Sequence, residues 1–355
     1  MAGSAYLGVI EGFFGKSYGY TKRSHLLDFL HKNNYSFYIY APKEDKFLRS
    51  DLSESMPEAK ISELSFLGQK SRILNIDFGI GISPLNLSSS FDSLRNKLLQ
   101  RIDSYTKRTN SVILALLFDD VKLEDPHIGF LQNKIIKDVY DNMPSRIKRL
   151  IVCPSYYSED PILDRVFGKR PEHYFTELTA SLPSDIDIFW TGPKVLSQDI
   201  TENDILRATE LLGRKPFIWD NYPVNDGKNI ADFLFLSAFK GRRNLLGKIE
   251  GHAVNPMLEM YLSYPALTTL PLIYKNLSDS AIKDAWLKCL NDIFKDKTKL
   301  ILENQKFFEK EGLSKISQIH KDELLSKLIN DSSPAVLELK DYLLGKYRFD
   351  PACLT

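Results

Sequence analysis

The chain has 355 residues, 43% of them hydrophobic and 26% charged, with a net charge of +1. That length exceeds one average domain and suits a barrel of about 250 residues with an appendage, while near-neutrality gives no electrostatic case for nucleic acid or an anionic membrane. No apolar stretch approaches the roughly 20 uncharged residues of a membrane span. Taken in chain order, apolar runs that read as strands cover Tyr6–Ile10, Phe37–Ala41, Asn75–Ile82, Val112–Phe118, Leu150–Pro154, Ile186–Thr191, Pro216–Asp220 and Gly251–Asn255. Between them, apolar residues at helical spacing mark His25–Lys32, Ala59–Lys70, Phe91–Lys107, Gly129–Asp141, Glu172–Leu182 and Glu202–Leu212.

Alternating strands and helices imply parallel pairing, and eight strands within some 260 residues point to an α/β fold, a (β/α)8 TIM-type barrel. A doubly wound open sheet is the alternative. Its dinucleotide fingerprint is missing, since Gly12-Phe13-Phe14-Gly15 puts aromatics where small residues are needed. After Asn255 the pattern becomes helical: Met257–Tyr274 reads as a helix broken near Pro265 and Pro271. Ile282, Trp286, Cys289, Leu290, Ile293 and Phe294 mark one apolar face, and Leu324, Leu325, Leu328 and Ile329 another. Ser333-Pro334 reads as an N-cap with proline in the first turn of a helix over Ala335–Leu344. The expected organisation is a catalytic barrel over 1–275 and a small C-terminal α-helical subdomain over 276–355, packed on the barrel or on a second copy as a homodimer.

Only three cysteines occur, Cys153, Cys289 and Cys353, too dispersed for a metal knuckle or a disulfide framework. A reducing, cytoplasmic setting follows. Glu11 interrupts the run that a signal peptide would need, although a secreted chain already trimmed of its leader stays open. His25, His31, His127, His173, His252 and His320 form no obvious ligand motif, so neither a metal nor another cofactor is expected.

The sharpest local feature is Leu116-Leu117-Phe118-Asp119-Asp120, where the fourth apolar run ends in two carboxylates. Successive side chains on a strand point to opposite faces, so both acids serve one site only if the chain leaves strand geometry there. The rim at the C-terminal strand ends of a barrel provides that departure, and barrel enzymes place their catalytic groups on it. The competing reading is a turn that caps the next helix. Gly12, Lys43, Tyr157, Trp190, Lys194, Asn221, Asp226 and Asn255 follow other strands, with Trp219 close by, and a closed barrel would bring these ends to one mouth.

These blocks resemble the family 84 glycoside hydrolases, the O-GlcNAcase and hyaluronidase-like β-N-acetylglucosaminidases. The similarity runs, in order, through Gly8-Val9-Ile10-Glu11-Gly12-Phe13-Phe14-Gly15, Tyr40-Ala41-Pro42-Lys43, Leu117-Phe118-Asp119-Asp120, Trp190-Thr191-Gly192-Pro193-Lys194, Ile218-Trp219-Asp220-Asn221 with Asp226, and Asn255-Pro256. The resemblance implies retaining removal of terminal β-linked N-acetylglucosamine, most naturally from serine or threonine of proteins, with the substrate's own acetamido oxygen as nucleophile and an oxazoline intermediate. It assigns Asp119 to the acetamido N–H and Asp120 to proton transfer. Gly12, Lys43 and Asp226 fall on sugar hydroxyls, Tyr157, Trp219 and Asn221 on the acetamido pocket, and Asn255 on a further sugar contact. The implied partner is a protein or glycan bearing N-acetylglucosamine.

Departures from the family pattern occur at Lys16-Ser17-Tyr18, Glu44, Leu48 and Leu52. They lie outside the carboxylate pair and bear on aglycone preference. A barrel that binds glycans without cleaving them, and a hexosaminidase for free oligosaccharides, are the other readings.

Overall fold

The computed structural model describes residues 5–49, 54–84, 91–119, 125–347, 349–351 and 353. Asp120 and Leu52 lie outside the described residues. Eight strands, β1 (Leu7–Glu11), β2 (Phe37–Tyr40), β3 (Asp77–Ile82), β4 (Ile113–Leu117), β5 (Arg149–Cys153), β6 (Ile186–Trp190), β7 (Phe217–Asp220) and β8 (Gly251–Val254), close into one barrel in sequence order. Every pairing is parallel, and the ring closes where Leu7 of β1 registers with His252 of β8. The strands are nearly continuous runs of apolar residues because a barrel strand is covered on both faces, by the packed interior and by the outer helices. The expected (β/α)8 architecture is therefore present, with strand ends shifted by a residue or two.

Helix boundaries follow local chemistry. Glu202–Leu212 matches its expected span because Thr201 and Asp204 form a capping box at one end and Gly213 adopts a left-handed conformation at the other. The helix expected over Glu172–Leu182 is shorter, Tyr174–Thr179, since Ser181 turns to a positive φ before Pro183. The helix expected from Met257 begins only at Tyr264 and, contrary to expectation, continues through Pro271 to Tyr274. Proline at 271 leaves the Leu267 carbonyl without its helical donor, and the Tyr35 hydroxyl supplies one at 2.7 Å.

The C-terminal helices Asp279–Phe294, Thr298–Lys306, Gln318–Leu328 and Pro334–Leu343 turn their apolar faces onto the barrel. Trp286, Leu290, Phe294, Leu324, Leu328 and Leu339 share one core with Leu234 and Leu236, which follow β7, and with Met257 and Leu262, which follow β8. Glu338 adds a polar anchor: it pairs with Lys22 and accepts from the amides of Tyr261 (2.7 Å) and Leu262 (3.2 Å). Two expectations fail in detail. Ile329 is exposed because the helix ends at Leu328, and Ser333 occupies the N-cap position without capping, its amide donating instead to Asp331 at 2.7 Å.

Candidate active site

β4 ends at Leu117, and Asp119 lies in a turn beyond it, which is the departure from strand geometry that a paired-acid site needs. The turn is fixed by its neighbours. The Phe118 amide still donates to Cys153 of β5 at 2.8 Å, and the Phe118 carbonyl accepts from the Ser155 hydroxyl at 2.8 Å. Ser155 belongs to a closed relay: Gln132 donates to its hydroxyl (2.7 Å), Tyr174 donates to Gln132 (2.6 Å), and the Ser155 amide donates to Tyr174 (2.9 Å). Such buried, mutually satisfied networks rigidify their surroundings. Asp119 is buried; its Oδ2 pairs with the Lys43 ammonium, and its Oδ1 is a buried acceptor with no hydrogen-bond partner among the described residues.

Lys43 reaches Asp119 from the loop after β2, and its ammonium lies 5.7 Å from the centre of the Trp219 ring. Trp219 is pinned edge-on to Phe189 (5.1 Å, 80°), and its indole N–H donates to Asn221 Oδ1 at 2.9 Å. Asn255 also donates to that oxygen (3.1 Å) and accepts from the Gly12 amide (3.3 Å), while Asn221 Nδ2 donates to the Val195 carbonyl (3.0 Å). The ends of β1, β6, β7 and β8 are thereby joined, and both amide orientations are dictated by their partners. Gly12 is required for this approach: a Cβ there would lie 2.5 Å from the Trp219 ring.

Asp226 stands on the segment between β7 and β8, and its Oδ2 accepts from the Phe14 amide at 2.8 Å. Beneath it, Asp220 at the end of β7 is bound by Arg242 (2.8 and 2.9 Å) and His252 (3.0 Å). Burial alone would raise the Asp220 carboxyl, but Arg242 and His252 outweigh it and hold the group well below the usual carboxylate range.

One pocket at the barrel mouth is lined by Gly12, Lys43, Asp119, Tyr157, Trp219, Asn221, Asp226 and Asn255, so the sequence-derived site residues that are described converge there. Trp190 and Lys194 do not: Trp190 is buried in the barrel core and Lys194 is exposed beside the mouth. Sequence reasoning did not single out Phe14, Cys153, Thr191 or Cys353 as pocket residues. The first three directly continue or border motifs already noted, whereas Cys353 is brought to the mouth by the tertiary course of the chain. The cavity holds about 50 Å³, enough for a few waters. Among the described residues no cluster of His, Cys, Asp and Glu is able to hold a metal ion, and no helix is long and apolar enough to cross a membrane.

A closed parallel barrel with a lysine-bound carboxylate and convergent hydrogen-bonding groups at its C-terminal mouth defines an enzyme-type barrel. Residues 7–307 match the model of the NAGidase family, beta-N-acetylglucosaminidase, and the chain belongs to that family of glycoside hydrolases. It is 29% identical over 287 residues to the protein O-GlcNAcases of Mus musculus and of Rattus norvegicus, covering 78% of this chain and 31% of each relative. The chain thus spans about a third of the length of these curated relatives. A solved mutant of Thermobaculum terrenum O-GlcNAc hydrolase superposes with a TM-score of 0.77 at 26% identity, over 96% of this chain and 81% of that one.

Proposed function

We propose that the chain is a retaining exo-β-N-acetylglucosaminidase acting on O-GlcNAc of serine or threonine in proteins, through substrate-assisted catalysis. The observation that carries this reading is Asp119, a buried carboxylate fixed by Lys43 on one oxygen and bare of described partners on the other. That second oxygen is suited to accept the acetamido N–H of the sugar, a hydrogen bond to a charged acceptor. Orienting the acetamide places its carbonyl oxygen against the anomeric carbon and stabilises the positive charge that develops on nitrogen. The oxygen–carbon bond forms as the bond to the aglycone breaks, and Asp120 gives its proton to the departing oxygen. Water then attacks the anomeric carbon of the oxazoline and passes a proton to Asp120, and the acetamide reforms. Two inversions give net retention without a protein nucleophile, which separates this chemistry from the two-carboxylate double displacement.

The remaining positions fit the same substrate. The Gly12 amide is engaged by Ile10 and Asn255, leaving its carbonyl as the backbone acceptor for a sugar hydroxyl. Lys43 and Asp226 supply a donor and an acceptor for further hydroxyls; Tyr157, Trp219 and Asn221 wall the acetamido side, and Asn255 contributes a further sugar contact. A protein substrate is favoured by the 29% identity to the mammalian protein O-GlcNAcases.

Release of the phenol from an aryl β-N-acetylglucosaminide tests the reaction. Asp119→Asn is expected to slow turnover whatever the leaving group, whereas Asp120→Asn is expected to cost about 10²- to 10⁴-fold with poor leaving groups and less with good ones. Equal turnover by wild type and Asp119→Asn rejects the assignment, and binding without release means a non-catalytic barrel. Digesting an O-GlcNAc-modified protein beside chitobiose and hyaluronan fragments tests the substrate class, with preference for an oligosaccharide displacing the protein reading.

A further inference from the structure

Asp226 depends on how the long segment between β7 and β8 is held. Asn225 immediately precedes it and is buried, with both ends of its amide engaged. Its Oδ1 accepts from the Leu258 amide at 3.1 Å; its Nδ2 donates to the Phe233 carbonyl at 3.0 Å and to Glu259 Oε2 at 2.9 Å. One side chain therefore ties the start of the segment to its own middle and to the loop after β8.

Farther along, the C-terminal helical layer takes over. The Leu234 amide donates to the Phe308 carbonyl (2.8 Å), the Leu313 amide to the Asp232 carbonyl (2.8 Å), and the Trp286 indole to the Leu236 carbonyl (2.7 Å). Leu234 and Leu236 are buried in the core they share with that layer, while Gly227 and Ile230, between Asp226 and this anchor, line the pocket. The segment thus has residues in the cavity wall and its middle embedded in the tail.

We propose that Asn225 is a positioning residue for Asp226, coupling the pocket wall to the loop after β8 and, through residues 232–236, to the C-terminal helices. The inference rests on the reading of Asp226 as a sugar contact. Asp226 is held from the front by the Phe14 amide and from behind by Asn225; releasing the rear attachment lets the carboxylate drift from the position in which a bound hydroxyl meets it. Small displacements of this kind are costly because binding hydrogen bonds demand close geometry.

A double-mutant cycle on aryl β-N-acetylglucosaminide hydrolysis tests this. Asp226→Ala is expected to lower kcat/KM by about tenfold to a hundredfold, the loss expected for hydrogen bonds to a charged acceptor. Asn225→Ala should lower it by roughly tenfold, carried mainly by KM, yet by less than about twofold once Asp226 is already alanine. Equal factors in the two backgrounds, or no effect of Asn225→Ala on kcat/KM, overturn the proposal while leaving the sugar-contact reading intact. An unchanged kcat/KM for Asp226→Ala overturns both. If Asn225→Ala lacks a cooperative thermal transition, Asn225→Asp replaces it in the same cycle: the isosteric carboxyl keeps an acceptor for the Leu258 amide but loses the amide donors to Phe233 and Glu259.

Discussion

Gly12 illustrates how much of this site is set by single atoms. Its hydrogen faces the Trp219 ring at a distance that leaves no room for a methyl, and Trp219 has little freedom to retreat because Phe189 and Asn221 hold it. Overpacking of this kind typically costs about 1–3 kcal/mol. Gly12→Ala is therefore expected to lower the melting temperature by a few degrees and kcat/KM for an aryl N-acetylglucosaminide by more than tenfold, about 1.4 kcal/mol or more. Retained kcat/KM in the variant would show that the Trp219 position does not shape the sugar site. Gly12, Lys43 and Asp119 were legible in sequence because each closes a recognisable apolar run. Asn225 was passed over beside Asp226, since its role lies in partners 8 to 34 residues away.

Among elements, all eight strands could be read from their apolar runs, but the loops that complete the mouth could not. The link between the loops after β7 and β8 runs through Glu259, fully buried and bonded to Asn225. Burial is the main cause that pushes the Glu259 carboxyl up to about 8 from its ordinary 4.5; Asn225 and the Lys22 charge oppose the rise, and Glu338 adds to it. Below 4.5 the folded and unfolded chains both carry this proton, and its stabilisation is fully present. Between 4.5 and about 8 the unfolded chain releases the proton and the folded one keeps it, so this contribution declines with rising pH and is lost through about 8. Glu259→Gln cannot ionise. Its melting temperature relative to wild type should therefore rise from pH 5 to pH 8.5, as read by calorimetry at matched ionic strength, and parallel curves for the two proteins would exclude this titration.

At the scale of the molecule, the tail is part of the machinery that shapes the mouth. Its amphipathic helices were evident from sequence, but their periodicity could not reveal that their partners are Leu234 and Leu236 after β7 and Met257 and Leu262 after β8. Nor could it reveal that the chain, after packing Tyr342, Leu343 and Tyr347 into its core, returns Cys353 to the pocket wall. Cys353 thereby shares the mouth with the residues read as sugar contacts. As a wall residue Cys353 bounds the space left for a sugar beside Asp119, Tyr157 and Trp219, so a shorter side chain there is expected to ease entry. Cys353→Ala should therefore show a lower KM for aryl N-acetylglucosaminide with little change in kcat. A KM equal to that of the wild type would mean that Cys353 does not limit sugar entry.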